Sequence, residues 1–174
     1  MNYFEFYNIP MTFKVDAAAL KKQFYRNSKK YHPDFFTTES DEKQAEILEL
    51  STLNNKAYKV LKNADARMKY ILDTQGIYGK EGENKLPQEF LMEMMDINEE
   101  IMELQFDFNP TAYEKVMEQV DNFEKGLHNE VAGILENWTE TTGTEDELKK
   151  VKNFYLKKKY LLRIKENVST FASA

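Results

Sequence analysis

The chain has no cysteine. That excludes disulfides, thiolate metal sites and a cysteine nucleophile, and it suits a reducing compartment. Histidine is almost as scarce. His32 and His128 lie far apart in sequence, so neither a histidine metal cluster nor a cofactor is expected. Glycine (6) and proline (4) are few, which favours long helices and few loops. No apolar run reaches the ~20 residues that span a bilayer. No basic stretch leading into an apolar core opens the sequence. A cytoplasmic protein with no membrane association is the expectation. Net positive charge is also lacking, and a formal charge of −6 argues against a general nucleic-acid binder.

What is present fits an ordered, helix-rich globular chain: 41% hydrophobic residues against 31% charged ones. Its length suits one moderate domain or two small ones. Asn2 to Asn8 is short and aromatic, with Tyr3, Phe4, Phe6 and Tyr7, and must pack on something larger. Asp16 can cap the next helix. Leu20, Phe24 and Tyr31 fall on one face of it, and Lys22, Arg26, Lys29 and Lys30 gather opposite. Pro33 disfavours helical geometry at His32. The chain therefore turns at Tyr31-His32-Pro33-Asp34 and shows an imidazole and a carboxylate on a stiff turn.

Phe35 to Ser40 reads as loop. Ser40 or Asp41 can cap a long helix to about Lys62, with Ile47, Leu50, Leu53, Ala57 and Leu61 at helical spacing. Asn63 can cap a shorter helix to about Gln75 with Met68, Ile71 and Leu72 apolar. Gly76, Gly79 and Gly82 then cluster among charges and mark a boundary. The expected organisation is a first domain over 1–75, a linker over 76–86 and a second domain over 87–174.

The second half reads as three helices. Phe90, Met94, Ile97, Ile101, Leu104 and Phe108 form a bundle-type seam. Asn109-Pro110 starts a helix with Tyr113, Val116, Val120, Phe123, Leu127 and Ile134 apolar, with one gap in the spacing. Thr139 to Gly143 is a turn, and Thr144 with Glu147 makes a capping box. Leu148, Val151, Tyr155, Leu161, Ile164 and Val168 line the last helix. Short loops imply an antiparallel bundle. Leu91, Met95 and Met102 form a second stripe about 120° from the seam, with Met92 beyond it near Asp96 and Glu99. Methionine suits an adaptable binding face.

The plain readings compete with these. A charge stripe alone is ordinarily a solvated helix face. Leu91 and Met95 fit a second buried face equally well. His128 reads as exposed and Trp138 as a packing anchor. Lys157 to Lys159 reads as a solvated face or a second basic contact. Adjacent side chains such as His32 and Asp34 need not converge on one substrate, so an enzyme is not expected.

The short aromatic helix, the basic helix, the His32-Pro33-Asp34 loop and the third helix with Asn54, Ala57, Tyr58 and Leu61 together resemble a J-domain. The stretch Leu61 to Leu72 with Gly76, and Glu89-Phe90-Leu91-Met92-Glu93 further on, resemble HscB-type co-chaperones of iron–sulphur cluster assembly. The expected fold is thus all-α: an N-terminal J-domain helical hairpin and a C-terminal antiparallel three-helix bundle. There are departures. Phe35 stands where the family usually has a basic residue, and Ala64 where a proline is common. The cysteine-bearing N-terminal extension of eukaryotic relatives has no counterpart, so a bacterial-type member is expected.

The resemblance implies a DnaK- or HscA-type ATPase as partner. It would be engaged by Lys22, Arg26, Lys29, Lys30, Tyr31, His32, Pro33 and Asp34. It implies an IscU-type scaffold as client, contacted by Leu91, Met92, Met95, Asp96, Glu99 and, on the last helix, Tyr160. A monomer is expected. Two other readings stay open: a J-protein serving a different client, and a passive helical adaptor.

Overall fold

The structure is a computed structural model that describes residues 1–80 and 82–172; Glu81 of the expected linker and the last two residues of the expected second domain lie outside them. Seven α-helices follow in chain order among the described residues. They are α1 (Tyr3–Tyr7), α2 (Ala17–Lys30), α3 (Asp41–Leu61), α4 (Ala64–Thr74), α5 (Gln88–Phe106), α6 (Pro110–Asn137) and α7 (Glu145–Ala172). The all-α fold is as expected. Two compact units form, residues 1–75 with 137–143, and 76–136 with 144–174.

In the first unit α2 and α3 form the hairpin, and polar side chains set where the helices begin. The Asp16 carboxylate accepts from the amides of Ala18 and Ala19 at 2.9 and 3.0 Å and starts α2. Ser40 caps α3 through the Lys43 amide. The break between α3 and α4 survives without a proline because Asn63 takes an extended conformation and accepts from the Ala66 amide at 2.9 Å. Caps of this kind contribute about 1 kcal/mol each. Arg67 finishes the corner: its guanidinium donates to the Leu61 carbonyl, left over at the end of α3, and to the Phe13 carbonyl at 2.8 Å. Gly76 follows α4 at φ +69°, a left-handed position that stops the helix.

The core of this unit buries Phe4, Tyr7, Leu20, Ile47, Ala57, Leu61, Ile71 and Leu72. Two buried polar residues accompany it. Asn54 is the hub: its amide donates to the Phe24 carbonyl and Ser28 Oγ, and its oxygen accepts from the Tyr7 hydroxyl at 2.7 Å. This network ties α1, α2 and α3 together and gives the buried Asn54 side chain and Tyr7 hydroxyl their partners. Burial, with Tyr58 nearby, pushes the Tyr7 hydroxyl well above the ordinary tyrosine range. Asn27 shares the inner face of α2 with Leu20, a polar residue that an apolar pattern does not reveal.

Residues 137–143 close against the same unit. Thr139 pairs with Thr12 as an isolated bridge, and the Trp138 ring packs 5.2 Å from Phe13. Trp138 is thus the anchor expected of it. A Cβ on Gly143 would stand 1.9 Å from Trp138 Nε1, so only glycine fits there.

In the second unit, α5 buries Phe90, Met94, Ile97, Ile101 and Leu104. Phe108, read as the next member of that seam, lies beyond the end of α5. It is 39% exposed and packs 5.7 Å from Tyr113. Helix α6 buries Val116, Val120, Leu127 and Val131, and Val131 fills the gap in the expected spacing. Thr144 and Glu147 form the expected capping box, with reciprocal bonds of 3.2 and 2.8 Å. Lys165 on α7 reaches Asp121 and Glu124 on α6 at 2.5 and 2.9 Å. The Asp121 bond is the largest cause holding the ammonium above the usual lysine range. Lys157, Lys158 and Lys159 are half-buried rather than simply solvated. Their ammonium groups sit 5.6, 6.0 and 5.5 Å from the rings of Phe90, Phe154 and Tyr155. Their stems cover apolar surface, as long cationic side chains readily do.

Candidate functional site

Two surfaces, one in each unit, remain uncovered. The first begins on α2. Its sequence includes Lys21, Lys22, Arg26, Lys29 and Lys30 and not one acid. All five are exposed or half-exposed, and among the described residues Lys22, Arg26, Lys29 and Lys30 form no ion pair with a carboxylate. Lys29 and Lys30 stand in the last turn, where they also complement the helix dipole. Tyr25 is exposed in the same stretch.

Helix α2 ends at Lys30, as Pro33 requires, and Tyr31 is its half-buried cap. A single turn of 3-10 helix, Pro33–Phe36, follows where loop was expected. His32 caps that turn. Its Nδ1 accepts from the Asp34 amide at 3.3 Å, and its carbonyl accepts from the Phe35 amide at 3.1 Å. Pro33 at the first position has no amide to leave unpaired. The Asp34 carboxylate lies 3.7 Å from His32 Nδ1 yet its side chain is 83% exposed, against 51% for His32. The turn therefore holds a carboxylate and an imidazole in fixed places, the carboxylate almost fully exposed and the imidazole about half so. Phe35 lies 5.5 Å from the His32 ring and is 68% exposed. Its position within the family pattern is legible in the sequence. That it flanks the imidazole as bare apolar surface is not.

The second surface is the outer face of α5. Leu91, Met92, Met95 and Met102 are exposed, Met92 the most among them at 62%. The alternative that this stripe is a second buried face does not hold. Asp96 and Glu99 are on the same helix, and both are exposed. Tyr160 of α7 lies beside this helix: its ring meets Phe90 edge-on at 5.4 Å, and its hydroxyl accepts from Asn98 Nδ2 at 3.0 Å. It is half-buried, with its ring committed to Phe90. Sequence spacing as read above leaves out one residue. Phe106, in the last turn of α5, is 89% exposed. Extending the spacing of Leu91, Met95 and Met102 by four residues finds it.

Among the described residues no group of three or more His, Asp or Glu side chains is placed to hold a metal ion. His128 is exposed, with its ring against Phe154 at 6.0 Å. No helix among them is long and apolar enough to cross a membrane.

A helical hairpin with an exposed His-Pro-Asp turn, followed by a helical bundle, defines a J-type co-chaperone architecture. The comparisons narrow this. A family model described as the HSCB C-terminal oligomerisation domain matches residues 86–169. A co-chaperone HscB homologue of Aliivibrio fischeri is 32% identical over 154 residues, covering 86% of this chain and 90% of that protein. One from Vibrio cholerae is 37% identical over 102 residues, and there the alignment covers 58% of this chain and only 60% of the relative. The solved structure of the chaperone HscB from Vibrio cholerae superposes with a TM-score of 0.70 at 26% identity, covering 99% of this chain and 98% of that one. The chain belongs to the HscB co-chaperone family.

Proposed function

We propose that this protein stimulates the ATPase of a DnaK- or HscA-type chaperone through α2 and the His32-Pro33-Asp34 turn, and delivers an IscU-type iron–sulphur scaffold to it through the outer face of α5. Residues 1–75 act as the J-domain, 76–86 as the linker and 87–174 as the client-binding domain. The observation that carries the reading is the turn. His32 spends its inner nitrogen on the Asp34 amide, and Asp34 keeps its carboxylate free for a cation on the partner. Preorganisation of this kind lowers the ordering cost of binding. The acid-free face of α2 steers the encounter toward an acidic surface. Lys22, Arg26, Lys29 and Lys30 provide the field, and Tyr31, His32, Pro33 and Asp34 the fixed contact. Leu91, Met92, Met95, Asp96, Glu99 and Tyr160 receive the client.

In this reading the chain does no chemistry of its own and works as a cytoplasmic monomer. The test is ATP turnover by a purified DnaK-type chaperone, with the wild-type protein and with His32→Gln. Stimulation by the wild type and none by the variant is expected. A wild type that leaves the turnover rate unchanged sinks the proposal. Stimulation without scaffold binding would mark a J-protein that serves another client.

A further inference from the structure

The exposed apolar row on α5 does not stop where the residues implied by the family resemblance stop. At ~100° per residue, Leu91, Met95, Met102 and Phe106 fall within roughly 60° of one another. The row is ~22 Å long at 1.5 Å per residue. It lies away from the buried row Phe90, Met94, Ile97, Ile101 and Leu104. A lone exposed apolar side chain is ordinary. A row that repeats over the whole helix and ends in a bare phenylalanine is not, and it is poor surface for a protein to leave wet.

The charge around the row states what covers it. Helix α5 carries Glu89, Glu93, Asp96, Glu99, Glu100 and Glu103 and no lysine or arginine. The acids border the row along one side, whereas Asn98 and Gln105 border it on the other. Such a face suits an apolar patch fringed by lysine or arginine. It suits a second copy of itself less well, because α5 carries no lysine or arginine to meet the carboxylates of a partner α5. An anionic lipid surface is excluded on the same ground.

We infer that the client-docking face runs the full length of α5, with Met102 and Phe106 as a second anchor beyond Leu91, Met92 and Met95, and that its occupant is the scaffold client, presenting an apolar patch with a basic fringe. This rests on the proposed delivery role. Phe106 is the stronger anchor, since a buried aromatic ring at an interface dominates smaller contacts. The acids add rate more than residence time.

Calorimetry with a purified IscU-type scaffold tests the inference, using wild type, Met102→Ala/Phe106→Ala, Phe106→Leu, and the triple variant Leu91→Ala/Met92→Ala/Met95→Ala. The double variant should weaken binding about tenfold, and Phe106→Leu should recover most of it. All altered side chains are exposed, so thermal unfolding should be unchanged. Wild-type affinity in the double variant, with loss in the triple, overturns the inference and leaves the proposed function intact. No binding by the wild type overturns both. Self-association that the double variant abolishes, with scaffold affinity unchanged, overturns it in favour of a second copy as occupant.

Discussion

Helices α2 and α5 solve the same problem in opposite ways. Each buries one face and leaves the other free. The free face of α2 is cationic and wet, with no carboxylate on the helix. The free face of α5 is apolar, bordered by carboxylates, with no cation on the helix. Exposed charge acts at a distance and gives little energy on contact. Exposed apolar surface acts only on contact and gives more, about 25 cal/mol per Å². Under the proposed function, the first face suits fast encounter and the second retention, and their opposite signs would keep the two partners from exchanging places.

The largest effect belongs to the apolar face. The Leu91→Ala/Met92→Ala/Met95→Ala variant should weaken scaffold binding on the order of 100-fold, nearly all of it in the dissociation rate. Surface plasmon resonance reads both rates. A change confined to the association rate would break the contrast drawn between the faces.

Next comes the framework under the charged face. Asn54 holds α2 through the Phe24 carbonyl and Ser28 Oγ, and it partners Tyr7. Asn54→Ala should lower stability by about 2–3 kcal/mol, because several buried groups lose partners together. It should also reduce ATPase stimulation while scaffold affinity stays the same. Denaturant unfolding and calorimetry check this, and equal damage to both activities would count against two separately supported faces.

Neutralising the charged face should have a smaller effect. Lys22→Gln with Arg26→Gln should slow association with the ATPase about tenfold at low salt and leave the dissociation rate alone. Stopped-flow association at two salt concentrations tests it. A loss that persists at high salt would mean that these side chains act by contact instead of by steering.

The buried tyrosine gives a pH-dependent test. Burial favours the neutral Tyr7 hydroxyl, so the folded state holds its proton more tightly than the unfolded chain does. Its contribution is complete below about pH 10, the ordinary tyrosine value, and is lost as pH rises beyond it. Tyr7→Phe should cost about 1 kcal/mol at neutral pH and flatten the alkaline limb of the stability curve. An alkaline limb identical to the wild type's would remove Tyr7 as its source. The smallest change is expected at Lys165, whose side chain is 25% exposed between Asp121 and Glu124. Lys165→Met should cost about 0.5 kcal/mol, read as a small fall in the unfolding midpoint.

Much of this architecture is legible in the order of the residues. The caps at Asp16, Ser40, Asn63 and Thr144 stand in the sequence because short polar side chains that accept amide protons mark helix starts. Pro33 places the turn by sterics that act within two residues. The inner seam of α5 follows from spacing alone, up to the helix end. That end is less legible: Phe108 continues the spacing but belongs to the next loop, since periodicity does not say where a helix stops.

Sequence by itself determined the local terms: helix positions, the two charge signs, and the His-Pro-Asp turn between two helices. Tertiary structure alone decided which polar residues go inside, because burial of Asn54 depends on donors and acceptors brought from α1 and α2, tens of residues away. It decided that residues 137–143 belong with the first unit, where Trp138 meets Phe13 and Gly143 makes room for the indole. It decided that the three lysines of α7 lie on aromatic rings. It also decided that the methionine row of α5 stays in water. A pattern of spacing assigns a residue to a face. Only the packed neighbours determine whether that face is covered.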